Sequence, residues 1–166
     1  FNDAPSQLVK MASGGLRGHD LQMFCKRAST LFLPKLEAMD LSPGEIPVHL
    51  IALGATEKYS SNRNGDGFRE LICQQFHPTF VKHARVYRHH RNKDRSKSYG
   101  VVKASVYNEP MRRVELLVAL NGTKEAAAKN NGLVADDELA RLESGDMPPV
   151  SMSCFLDPQC PILTRD

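Results

Sequence analysis

Two serines, Ser151 and Ser153, alternate within the stretch VSMSC at 150–154. On an extended segment, residues two apart share one face, so both hydroxyls point the same way. Pro148 and Pro149 lead into this stretch and force an extended entry. A hydroxyl nucleophile needs such a rigid support, with backbone N–H groups nearby to hold a developing oxyanion. It also needs a base. The adjacent histidines His89 and His90 are the first candidates, because imidazole titrates near neutral pH. Neighbours on an extended segment face opposite ways, so one would face a site and the other solvent. The plainer reading is a structural serine and two histidines belonging to a basic loop.

A carboxylate completes this list. Glu115 lies inside VELLVAL at 114–120, where Val114, Leu116, Val118 and Leu120 fill one face. Glu115 shares the other face with Leu117 and Ala119, and a carboxylate on an apolar face needs a partner. An imidazole would suit, since a carboxylate fixes its tautomer and stabilises its cation. The alternatives are an exposed Glu on a one-sided strand, or an ion pair with Arg112 or Arg113. Should Glu115 not be the third group, His49, His77 and His83 are the other sources.

Metal chemistry finds little support. Asn62-x-Asn64-x-Asp66-Gly67 resembles the opening of a calcium loop, but the twelfth position is Cys73 rather than a bidentate Glu. A shaped turn is the expectation. Cys25, Cys73, Cys154 and Cys160 form no CxxC and no zinc-ligand spacing. Free thiols in a reducing compartment are expected, although Cys154 and Cys160 could approach each other.

The charge is unevenly spread. The net charge is +3, yet seven Lys/Arg, three His and one Asp lie between Lys82 and Lys97. Such a run reads either as a solvated loop or as a surface for phosphate or acidic protein.

Several elements must position these groups. Asp20 can cap a helix from Leu21, with Phe24, Cys25, Ala28, Leu31 and Phe32 on its apolar face; Pro34 kinks or restarts it. Residues 47–55 read as a strand, 60–68 as a loop, 68–76 as a short helix, and Pro78 to about Ala84 as another. Val86 and Tyr87 begin a short strand into the His pair. Strands follow at 99–107 and, most strongly, 114–120, joined by a turn at Asn108-Glu109-Pro110. Residues 121–131 suggest a helix, and another runs from a cap at Asp136 through Leu142 to Gly145. Helices and strands alternate irregularly, which predicts an α+β fold.

With 166 residues, 41% of them apolar and 25% charged, the chain fits one domain over 1–166 with a real core. Residues 1–18 read as a loosely ordered arm. No apolar stretch approaches the roughly 20 residues of a membrane span, and the N-terminus lacks signal-peptide character. The missing initiator Met and the unpunctuated end at Asp166 suggest trimming, or further residues beyond.

Three stretches, in order, resemble the prohead maturation proteases of tailed phages, relatives in fold of the herpesvirus assembly protease. ALGATEKYSSNRNGDGF at 52–68 is similar to the family's opening strand and Gly-Asp loop. ARVYRHHRNKDRSKSYGVV at 84–102 is similar to its catalytic-His strand, loop and Gly-Val. LARLESGDMPPVSMSCF at 139–155 is similar to its helix, Gly turn and nucleophile strand. The resemblance runs from about Ala52 to Phe155 and implies a mostly antiparallel β-barrel flanked by helices. It maps the nucleophile onto Ser151 and the base onto His90, with His89 as fallback; Glu115 is the candidate third member. The His loop is longer and more basic than the family's, and Ser153 stands where many relatives have Gly.

The resemblance further implies a serine endopeptidase inside the viral procapsid, in the host cytoplasm, without metal or organic cofactor. Its substrates would be the major capsid protein, the scaffold protein and the protease itself. A homodimer follows by analogy with the herpesvirus relatives; no membrane and no specific nucleic acid are expected as partners. Two rival readings remain: a basic nucleic-acid-binding or nuclease module, which a chelator would inactivate if metal-dependent, and a non-catalytic capsid or scaffold component, which would show no turnover.

Overall fold

A computed structural model describes residues 35, 38–61, 65–89, 91–146 and 150. Four antiparallel strands form one sheet: β1 (Glu45–Gly54), β2 (Arg85–Val86), β3 (Gly100–Asn108) and β4 (Arg113–Asn121), in the order β1-β4-β3-β2. Five short α-helices accompany it among the described residues: α1 (Thr56–Tyr59), α2 (Glu70–Phe76), α3 (Thr79–His83), α4 (Lys124–Lys129) and α5 (Asp136–Glu143). The fold is α+β, as the alternation of patterns suggests, with the sheet curled into a half-barrel.

The run VELLVAL becomes β4, which lies between β1 and β3. Every residue from Val114 to Asn121 is buried. Val114, Leu116, Val118 and Leu120 share one face with Val48 and Val102, and Cys73, Ala135 and Leu142 pack on that core. Phe80 and Leu139 add to its edge. The opposite face carries Glu115, Leu117 and Ala119, all inaccessible to solvent. Register shifts between Ile51 and Leu53 on β1, and between Val102 and Ala104 on β3, mark bulges. Bulges increase local twist and bend the strands that carry them, in keeping with the curl.

The hairpin β3–β4 closes at residues 109–112, one residue beyond the expected turn. Arg112 takes a left-handed φ of 49°, and the Asn108 side chain accepts from the Met111 N–H. Pro78 sits at the start of α3, where its missing N–H costs nothing. Three sequence expectations shift. The helix expected from Phe68 begins at Glu70. Asn121 ends β4 rather than opening a helix, and Thr123 caps α4 by accepting from the Ala126 N–H. Asp136 does not cap α5; Ala135 holds that position without a side-chain bond. Asp136, Asp137 and Glu138 instead fill the first turn, where the helix dipole favours negative charge. Gly145, at φ +81°, lies just past the helix as expected. The helix from Leu21, Pro34 and the strand carrying Ser151 lie outside the described residues.

Leu117 is wholly buried on the face that also holds Glu115. Leu117→Ala should lower the unfolding free energy by about 2–5 kcal/mol, read from chemical denaturation at unchanged slope. A loss below about 0.5 kcal/mol would mean that this face is solvated.

Candidate active site

The β3–β4 hairpin begins the site. Asn108 and Arg113 are its first paired residues, so their side chains share a face. Two residues along β4, Glu115 falls on that same face by the strand period. On β1, His49 pairs with Leu117, which again is on this face. Backbone register alone therefore brings together four polar side chains from three strands.

They form one bonded group. Glu115 Oε1 accepts from Asn108 Nδ2 at 2.7 Å and from Arg113 Nε at 2.6 Å. Glu115 Oε2 lies 3.0 Å from His49 Nε2. Glu115 is fully buried, and the side chains of Arg113 and His49 are only 14% and 9% exposed. Burial alone pushes this carboxyl's pKa up, but the hydrogen bonds and charges of His49 and Arg113 outweigh it and hold it below the usual carboxylate range. Glu115 is thus ionised at neutral pH. An ionised carboxylate only accepts, so His49 Nε2 must carry the proton of their bond. The carboxylate fixes the His49 tautomer, as a triad acid fixes its histidine. This settles the alternatives for Glu115: it is not exposed, and its ionic partner is Arg113. Arg112 lies instead 3.6 Å from Glu70.

The other predicted groups distribute as follows. Ser151, Ser153 and His90 lie outside the described residues. His89 is exposed and sits in a turn with φ 54°. The segment is not extended there, so the strand rule that sends neighbouring histidines to opposite faces does not hold at residue 89. β2 pairs Arg85 with Val101 and Val86 with Gly100, rows that continue to Ala119 and Leu120 on β4. Glu115 lies five residues back along β4, about 17 Å from that row at strand rise. Glu115 and His89 are therefore not brought together; the imidazole at Glu115 is His49. His77 Nδ1 lies 3.0 Å from Ser105 Oγ, and burial followed by Lys35 lowers the pKa of this histidine, so it is neutral near pH 7. His83 is exposed.

Sequence reasoning named His49 only as a reserve and missed Asn108. The one local signal was a histidine set in the apolar run PVHLIALGA; Asn108 had looked like a turn residue. Cys73 is a free buried thiol whose pKa burial pushes up to about 11, so it is not a nucleophile near neutral pH. Among the described residues no group of His, Cys, Asp and Glu could hold a metal ion, and no helix is long and apolar enough to cross a membrane.

The basic run divides in two. Arg85 turns inward to Ser98 Oγ at 3.2 Å and to the Asn130 carbonyl at 2.5 Å. Arg88 binds Asp137 at 2.9 Å and Glu138 at 2.6 Å, with its guanidinium over the Tyr99 ring. Arg91, Lys93, Arg95 and Lys97 point outward. The chain matches no protein-family model, no curated protein and no solved structure.

Glu115 predicts a pH effect of definite sign. Its folded-state pKa lies below the ordinary 4.5, so its stabilisation is present above that value and lost as pH falls through the folded pKa. Glu115→Gln should remove this part of the acid dependence. The difference in unfolding free energy between wild type and variant should be largest at neutral pH, about 3–5 kcal/mol for a broken buried pair, and shrink below pH 4. A difference that stays flat from pH 7 to pH 3 would mean that Glu115 is not charged in the fold.

Proposed function

We propose that this chain is a serine endopeptidase of the prohead-maturation type. The observation that carries the proposal is the buried, ionised Glu115 on a rigid central strand, holding an imidazole by its Nε2. A carboxylate–imidazole pair is two-thirds of a hydrolytic triad, and the sequence offers a nucleophile in Ser151 on a Pro-braced segment.

The reaction is acyl transfer. Ser151 Oγ attacks a peptide carbonyl while a histidine takes its proton, and the imidazolium returns that proton to the leaving amine. Water then releases the acyl group by the same route. His90 is the base that the family resemblance assigns. His49, the imidazole in contact with Glu115, is the second candidate. The antiparallel half-barrel is consistent with the assembly-protease barrel as the complete architecture. The substrates would be the major capsid and scaffold proteins and the chain itself, inside the procapsid. A homodimer is the expected assembly. The mechanism calls for no cofactor, membrane or sequence-specific nucleic acid.

The test is co-expression with the cognate capsid and scaffold proteins, read by mass spectrometry of new termini, with labelling by a serine-directed acylating reagent. Ser151→Ala should abolish both cleavage and labelling; Ser153→Ala should be milder. Full cleavage by Ser151→Ala would overturn the nucleophile assignment, and absence of turnover in the wild type would favour a structural role. Activity should survive a chelator, in contrast to a metal-dependent nuclease.

A second series assigns the base. His90→Ala should remove more activity than His89→Ala, at unchanged melting temperature. If His90→Ala is active and His49→Ala dead but folded, the base is His49. Glu115→Gln should slow turnover by up to about 10⁴-fold, the loss seen when a triad carboxylate is neutralised. Near-normal turnover in folded Glu115→Gln would leave the carboxylate a purely structural group.

A further inference from the structure

The strap from Arg91 to Lys97 is held at both ends and braced in the middle. Arg85 and Arg88 precede it and are bound to the protein body through Ser98, Asn130, Asp137 and Glu138. Asp94 accepts from Ser96 N–H at 2.9 Å and Ser96 Oγ–H at 2.7 Å, capping a 3₁₀ turn at Arg95–Lys97. Ser98, at the far end, is fully buried and bonded to Arg85. The acid within the strap is thus occupied in shaping it. Arg91, Lys93, Arg95 and Lys97 are exposed and make no salt bridge among the described residues.

We infer that this strap binds nucleic-acid backbone without regard to base sequence. Four outward cations on a braced loop offer charge without first ordering a flexible segment. The strap's other residues, Asn92, Asp94 and Ser96, are polar. Protein hot spots, arginines included, act from packed and desolvated pockets, and the strap has no apolar or aromatic residue to surround Arg91 and Arg95. Phosphate backbone needs none, because released counterions drive its binding. The absence of an aromatic also disfavours base stacking on single strands, so duplex is the fitting form. This inference stands apart from the endopeptidase reading.

The probe is a fluorescent 20-base-pair DNA duplex, titrated with the full chain over a range of salt. Four phosphate contacts give a slope of log K against log salt of about −3.6. The triple variant Lys93→Gln, Arg95→Gln, Lys97→Gln should flatten that slope by about 2.7 and weaken binding at least tenfold at low salt. Lys93→Glu alone, a single surface reversal, should weaken it in the same direction. A control triple of equal charge change, Lys58→Gln, Arg69→Gln, Lys124→Gln, should bind nearly as wild type. Two duplexes of unrelated sequence should bind alike. No duplex binding by wild type, equal loss in the control triple, a strong sequence preference, or displacement of duplex by polyglutamate at equal charge would each overturn the inference.

Discussion

The buried carboxylate of Glu115 is the constraint on which the central sheet turns. An ion of that size loses several kcal/mol of hydration when taken out of water. Here the loss is offset by Asn108, Arg113 and His49, which occupy both oxygens. Those partners come from β3, β4 and β1. A one-residue slip of β1 against β4 would turn His49 to the core face and leave Glu115 Oε2 without its donor. Apolar side chains alone would tolerate a slip far better, since the residues of β1 flanking His49 are Val48 and Leu50. The polar group therefore specifies register, and register in turn sets every other position on the sheet.

A second buried carboxylate repeats the device on the same face. Glu45 pairs in register with Asn121, six residues along β4 from Glu115. It meets Lys103 at 2.9 Å, Asn130 at 2.8 Å and the Ser42 N–H at 2.8 Å. Burial opposes its ionisation, and the bonds to Asn130 and Lys103 again prevail, so its pKa too lies below the ordinary range. Lys103 stands where the β3 register shifts. The sheet is thus pinned by charge at two places, with Leu117 and Ala119 between them. Chemistry mounted on such a sheet inherits its precision, because strand-borne groups are held more closely than loop-borne ones.

The legibility of the sequence followed the range of the interactions. Apolar runs marked β1 and β4, and alternation marked β3, each to within two residues, because both patterns are local. Glu115 stood out for a local reason as well: a carboxylate amid apolar neighbours demands a partner. The identity of that partner was not local. His49 is 66 residues away, and only the pairing of β1 with β4 brings it near. His90 was the nearer choice in sequence pattern, yet β2 delivers its neighbour His89 to the other end of the sheet. The turn at His89 was equally hidden, since no glycine announces its positive φ. Helix starts moved where side-chain caps were assumed: Asp136 looked like a cap but serves as a first-turn acid.

The same distinction sorts the basic run. Counted in sequence, Lys82 to Lys97 is one block of charge. In the fold, Arg85 and Arg88 are tied by their bonds to the protein body, and the charge left for solvent lies in Lys82 and in Arg91–Lys97. The two ends of the sheet are consequently separate electrostatic neighbourhoods. The β2 end lies about 17 Å along β4 from Glu115 at strand rise, roughly twice the screening length of about 8 Å at physiological salt. The ionisation of Glu115 is set against burial by His49 and Arg113 in direct contact. Altering the strap should leave the chemistry of the buried group untouched, which is the physical basis for treating surface recognition and any catalysis at Glu115 as independent properties of one sheet.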